Sequence, residues 1–390
     1  MVTGVGTAGE GVVLSTPDAT TVWTAGDLAG LSLHSANTIP AFALDSGARV
    51  PGFDLWDMWP IEHADGRLPR FNGAALWMVL AATVEPDPDS RHMVARIYLA
   101  SETRGQWTLH QPVFPDGFTP GDREWSGSAV LDDSGTRLTV YFTAAGRRDV
   151  PGPSLEQRLF EASCSFAATD SGFDLSDWSE PAETVVADGI DYMVANQTEG
   201  RGGEILGFRD PGYFRDPVTD RAYLFFTGSC ARSPSRWTGN IGVAEQDAAD
   251  TWQILPPVFS ATGVNNELER PHMRVRDGMY YLFWSTQAKV FAEGLLAPTG
   301  LYGAVAPLPL GPFTLLNGTG LVAGTPPECP AQEYSWWVMD DLQVVGFADY
   351  PGIADMAQIT DAEQRRAHFA GYPAPFFRIA LEGATARVIA

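Results

Sequence analysis

The sequence predicts an all-β protein, a five-bladed β-propeller around a central funnel, and three observations predict it. The first is composition. The 390 residues include 12 Trp, 40 Gly and 29 Pro, and 11% are aromatic, a mixture of sheet formers and turn formers that suits many short strands. The 45% hydrophobic content supplies a large core. The second is a recurring unit of short strands joined by Gly, Asp and Pro turns. The third is that acidic residues open these units at 57, 124, 210 and 269, with spacings of 67, 86 and 59 residues.

The units follow in order. The first runs from Asp57 through Phe71–Val79 and Ala95–Leu99 to Trp107–Phe114. The second opens at Glu124-Trp-Ser126 and pairs Ser128–Leu131 with Leu138–Phe142 across Asp132-Asp-Ser-Gly135. The third joins Phe208-Arg-Asp-Pro211, Ala222–Thr227, Asn240–Ala244 and Trp252–Phe259. The fourth repeats that order with Glu269-Arg-Pro-His272, an Asp277-Gly278 turn, Tyr280–Trp284, Leu301–Val305 and Pro312–Leu316. The fifth holds Tyr334–Trp337 and Leu342–Phe347. Period-two alternation marks many of these strands. Five such units give five four-stranded blades in a single domain over 1–390, its core at about 23–350 and the terminal segments packed on it. The longest insertion, Asp170 to Gly207, is expected over one rim. A β-sandwich with extra hairpins is the alternative fold.

The formal charge is −23 and the only lysine is Lys289. Such a field repels nucleic acid and anionic lipid, so neither is expected as a partner. No apolar run is long enough to span a bilayer. Met1 to Thr21 lacks a basic start and an apolar stretch, so a standard signal peptide is not expected. That leaves open a cytoplasmic protein, export by another route and a sequence given without its leader. Cys164, Cys230 and Cys329 allow at most one disulfide and no zinc site. The sequence has no phosphate-binding Gly-Lys-Ser/Thr loop, no Gly-x-Ser-x-Gly elbow and no His-Glu-x-x-His pair.

In a propeller the first strand of each blade lines the channel, so the acidic openings converge. A retaining glycoside mechanism needs one carboxylate as nucleophile and one carboxylic acid to protonate the leaving oxygen. Close carboxyls push their pKa values apart and so divide the roles. A third can offset positive charge on the sugar ring. Each candidate also has a plainer reading. Asp57 could be a turn residue, and Asp210 or Glu269 half of a solvated ion pair. The second Arg215-Asp-Pro217 copy shows how weak that tripeptide is alone. The joint pattern is what favours chemistry. His272 is read as orienting a neighbour, not as a metal ligand.

The blocks Trp56-Asp-Met-Trp-Pro60, Glu124-Trp-Ser-Gly-Ser128, Phe208-Arg-Asp-Pro211 and Glu267-Leu-Glu-Arg-Pro-His272 resemble the signature of glycoside hydrolase family 68, which holds levansucrases, inulosucrases and β-fructofuranosidases. The resemblance spans about Trp23 to Tyr350. It implies a retaining enzyme that cleaves sucrose and passes the fructosyl group to water or a sugar, without cofactor. Asp57 would be the nucleophile, Asp210 the transition-state stabiliser and Glu269 the general acid/base. Trp56, Trp125, Ser126, Arg209 and Arg270 would hold the fructosyl ring, with Glu267 and Tyr334 near the glucose side. An extracellular, monomeric protein is the corresponding expectation. A mainly hydrolytic enzyme is the nearest alternative, and a silent sugar-binding propeller the alternative of another class. Four positions depart from the pattern. Gln287 stands where Arg or His is usual, Thr227 where Glu is usual, and Trp336 where His is usual; these are expected at the leaving glucose or the acceptor. Asn266 replaces an Asp of the calcium set, so no metal is expected.

Overall fold

The computed structural model describes residues 20–389, apart from 151, 153, 170–171 and 199–203. The expectation for Met1 to Thr21 therefore lies outside the described residues except at its last two. Five antiparallel four-stranded blades are present. Blade 1 comprises Phe53–Glu62, Ala74–Thr83, Arg96–Thr103 and Gln106–Pro112. Blade 2 comprises Arg123–Leu131, Arg137–Ala145, Gln157–Thr169 and Gly172–Ser176. Blade 3 comprises Phe208–Arg215, Ala222–Ser229, Gly239–Gln246 and Trp252–Ser260. Blade 4 comprises Glu269–Arg276, Met279–Thr286 and Gly300–Ala306, with Thr314–Leu315 and Leu321–Gly324 sharing its outer edge. Blade 5 comprises Glu333–Val338, Gln343–Ala348, Phe377–Glu382 and Thr385–Ile389. The first-named strand of each blade touches that of the next, and the fifth returns to the first. This closes the ring around the channel.

Local sequence explains the hairpins. Asn72-Gly73, Arg104-Gly105 and Asp277-Gly278 each put two residues at positive φ, the geometry that matches the twist of paired strands. In Asp132-Asp-Ser-Gly135 the Asp132 carboxylate accepts the Thr136 and Arg137 amides at 2.8 and 3.0 Å. The expected alternation shows in the outer strand of blade 1, Gln106–Pro112, and in the third strand of blade 2, Gln157–Thr169. Every residue of Ala222–Ser229 and of Gly300–Ala306 is buried, because neighbouring blades cover both faces of a middle strand and leave no polar side.

Two expected boundaries change. The core does not stop near 350, since the outer strands of blade 5 lie at 377–389. The 170–207 insertion is not merely a rim loop. Its start completes blade 2, and Tyr192, fully buried, donates its hydroxyl to the Leu255 carbonyl of blade 3 at 2.7 Å. At the other end Thr21–Val22 pairs with Phe259 and Ser260. Trp23 then packs against Phe259, Trp284, Phe291 and Tyr302, plugging the seam between blades 3 and 4. All three cysteines are free thiols. Among the described residues no helix is long and apolar enough to cross a membrane, and no group of three metal-ligating side chains forms.

Candidate active site

All five inner strands carry a β-bulge at the same height. The register slips between Trp56 and Met58, Trp125 and Gly127, Arg209 and Gly212, Glu269 and His272, and Tyr334 and Trp337. A bulge re-aims the side chain at the extra residue. Here it places Asp57 at φ 36°, Asp210 at φ 61°, Arg270 at φ 53° and Ser335 at φ 64°. Left-handed backbone at non-glycine residues costs of order 1–3 kcal/mol each and is found where a site demands it. Asp tolerates it better than Arg does.

The three carboxylates arrive on blades 1, 3 and 4 and are held by different donors. Ser126 donates to Asp57 Oδ2 at 2.5 Å. Asp210 Oδ2 accepts the Thr227 hydroxyl at 3.0 Å and the Arg270 amide at 3.3 Å. Glu269 accepts Arg209 Nη2 at 2.9 Å on one oxygen and the Tyr334 hydroxyl on the other. Arg209 is the common tie: Glu267 lies 3.5 Å and Asp210 3.6 Å from its guanidinium. Burial works against that charge, but Glu269, Glu267 and Asp210 outweigh it and hold the guanidinium firmly protonated. A planar fork is the side chain that can serve several carboxylates at once. Burial pushes the Asp210 carboxyl up to about 7; Arg209 opposes this, while Glu269 and Asp57 add to it.

The Arg270 guanidinium makes its hydrogen bonds to groups other than the carboxylates, although Asp57, Asp210 and Glu269 all act on its charge. It is pinned to the Ser335 carbonyl and hydroxyl, both at 2.8 Å, and to the Met58 carbonyl at 2.5 Å. It therefore knits blades 4, 5 and 1 beneath the site. His272 has Nδ1 2.9 Å from the Arg270 carbonyl and takes the Val338 amide on Nε2 at 2.9 Å. Burial, then Arg274, keep it neutral, in keeping with an orienting role.

Trp56, Asp57, Glu269, Gln287 and Tyr334 line a cleft of ≈ 550 Å³, the mouth of the expected active-site funnel. Trp125 stands beside the Ser126–Asp57 contact and donates its indole N–H to the His92 carbonyl at 3.2 Å. Glu267 sits at Arg209, not on the cleft wall. Two departures from the resemblance are not in the cleft. Trp336 is wholly buried inside blade 5, and Thr227 is wholly buried under Asp210, so neither can touch a sugar. Glu124, an acidic opening, instead accepts the Ile97 amide at 2.7 Å, and burial pushes it up to about 7. Sequence reasoning missed Arg91, Asp349 and Tyr350, which also line the cleft. Each has a buried polar atom without a partner: Nε, Oδ1 and the phenol oxygen. Arg91 comes from the short 3-10 helix Pro88–Met93, and Asp349 and Tyr350 from the segment after Ala348, where no periodicity marks them.

The family model described as Levansucrase/Invertase matches residues 13–245 and 233–389. A levansucrase of Pseudomonas syringae pv. actinidiae is 30% identical over 406 residues, covering 93% of this chain and 89% of that one. An inulosucrase from Halalkalicoccus jeotgali, solved bound to kestose, superposes with a TM-score of 0.87 at 34% identity and covers 95% of both chains. A levansucrase from Gluconacetobacter diazotrophicus shares the fold, with a TM-score of 0.80 at 23% identity over 95% of this chain and 90% of that one.

Proposed function

The chain belongs to the levansucrase/invertase family, glycoside hydrolase family 68, and from that premise we propose that it is a retaining fructosyltransferase that cleaves sucrose. The observation that carries the reading is the convergence of Asp57, Asp210 and Glu269 from three blades, with Arg209 tying Asp210 and Glu269 together. Glu269 gives its proton to the glycosidic oxygen as Asp57 attacks the anomeric carbon of the fructosyl ring. That carbon–oxygen bond breaks, glucose leaves, and an ester to Asp57 forms. Ionised Asp210 faces the positive charge that develops on the ring. In the second half an acceptor hydroxyl loses its proton to Glu269 and takes the fructosyl group from Asp57. Ser126 orients the nucleophile, and Tyr334 with Arg209 fixes the rotamer of Glu269.

Incubation with sucrose tests this. Equal glucose and fructose indicates hydrolysis, glucose in excess indicates transfer, and release of neither rejects the donor. Asp57→Asn, whose amide cannot act as nucleophile, should lose about four or more orders of magnitude in kcat while melting within a few degrees of wild type. An Asp57→Asn protein with substantial turnover rejects the role. Neutral Gln287 on the cleft wall favours a large hydrolytic share and short transfer products, and buried Trp336 cannot compensate by stacking.

A further inference from the structure

Opposite each bulge, on the second strand of its blade, stands one residue. Leu80, Thr143, Thr227, Ser285 and Phe347 pair with Trp56, Trp125, Arg209, Glu269 and Tyr334. In three blades this residue carries a hydroxyl that reaches the inner strand of the next blade. Thr143 Oγ1 accepts the Asp210 amide at 2.9 Å, and Ser285 Oγ accepts the Trp336 amide at 2.9 Å. Thr227 differs in two ways. Its neighbour in the next blade is an acceptor, the Leu268 carbonyl at 3.0 Å, and its other neighbour is Asp210 Oδ2, also at 3.0 Å. One hydroxyl proton faces two acceptors.

We infer that Thr227 is a positioning residue for Asp210: its proton goes to Asp210 when that carboxylate is ionised, and turns to the Leu268 carbonyl when Asp210 takes up a proton. In the second state the Asp210 O–H donates to Thr227 Oγ1 and Thr227 donates to Leu268, so every buried polar atom keeps a partner. The two states differ only by rotation of one hydroxyl. Leu268 precedes Glu269, so the same side chain also ties Asp210 to the backbone that carries its neighbour. The other groups facing Asp210 are Arg209 from its own strand, Asp57 from blade 1, the Thr143 hydroxyl at its amide from blade 2, and Glu269 with Arg270 from blade 4. Burial already disfavours the ionised form, and the Thr227 donor works against that.

The inference rests on the proposed reading, in which Asp210 acts ionised. The test is the pH dependence of kcat/KM for sucrose cleavage, whose acid limb reports the essential carboxylates of the free enzyme as a coupled set. Thr227→Val removes the donor and should move that limb up by about one pH unit, so that activity below it falls roughly tenfold. Thr227→Ser should restore the wild-type limb. Thr227→Cys, a weaker donor, should fall between, and it reads the effect if the valine protein does not fold. An unmoved limb, or a loss equal at every pH, overturns the inference. If the wild type does not cleave sucrose, the functional reading fails by itself. The Asp210 titration, followed by difference infrared spectroscopy against Asp210→Asn, then still decides whether Thr227→Val or Thr227→Cys shifts it.

Discussion

Arg209 shows why single residues here do not substitute for one another. It serves Glu269, Glu267 and Asp210 within 2.9–3.6 Å, and among the described residues no other side chain forms an ion pair with all three. Gln287 carries the opposite lesson. A charged donor to a sugar hydroxyl contributes roughly 1.5–3 kcal/mol and a neutral one roughly 0.5–1.5 kcal/mol, about tenfold in occupancy. Gln287→Arg and Gln287→His should therefore raise the ratio of transfer to hydrolysis and lengthen the products, measured by chromatography of sucrose digests. Unchanged ratios in both variants would remove Gln287 from the acceptor side. Asp89, Lys289, Thr299 and Asp355, which line the same cleft, are then polar side chains left to hold that sugar.

At the scale of elements the bulged inner strands matter most, because they must pack closely at the height of the site. A Cβ on Gly212 would lie 2.3 Å from the Pro271 carbonyl oxygen of blade 4, and backbone cannot yield cheaply. Gly212→Ala should cost about 1–3 kcal/mol in denaturant melts. It should also lower kcat by roughly 100-fold, since it spreads the strands that carry Asp210 and Glu269. Gly278→Ala is the control. Nothing lies within 4 Å of its added methyl at φ +74°, so only turn strain is expected and activity should stay intact. The short helix Ala362–His368 is another positioning element. Asp361 caps it, and Arg366 clamps Asp54 at 2.5 and 2.9 Å while Arg365 grips Asp87. Asp355, Met356, Ile359 and Arg365 line the cleft, and these clamps hold their segment against blade 1 and the Pro88–Met93 helix.

For the whole molecule, the pH dependence of stability follows from buried acids. Burial pushes Glu333 up to about 8 and Glu62 up to about 7; Arg274, 2.7 Å from Glu62, opposes the latter. Below about 4.5 these groups are protonated in both folded and unfolded chains and contribute no difference. As pH rises past that value the unfolded chain releases their protons while the folded one keeps them, so stability falls until the folded values are passed. The −23 charge adds repulsion in the same direction. Calorimetric melts at fixed ionic strength should give a higher Tm near pH 5 than near pH 8. Glu333→Gln, which cannot ionise, should flatten that slope. A Tm that rises from pH 5 to pH 8 would contradict this assignment.

Blade number and family were legible in the sequence, because signature blocks such as Phe208-Arg-Asp-Pro211 and Glu267-Leu-Glu-Arg-Pro-His272 are local and each opens a blade. The Asp277-Gly278 hairpin was legible for the same reason: a turn is decided by the residues within it. The orientation of Trp336, the burial of Thr227 and the diversion of Glu124 to a backbone amide were not. Trp336 and Glu124 depend on which side of a bulge they fall, since a one-residue slip turns a side chain to the other face. Thr227 is buried because both faces of its strand are covered. Arg91, Asp349 and Tyr350 reach the cleft only because the ring closes and brings blade 5 back beside blade 1. The sequence alone determined the family and supplied the side chains proposed for the chemistry; the stacking of blades decided which of them meet, since contacts between distant strands are set by packing and not by local propensity.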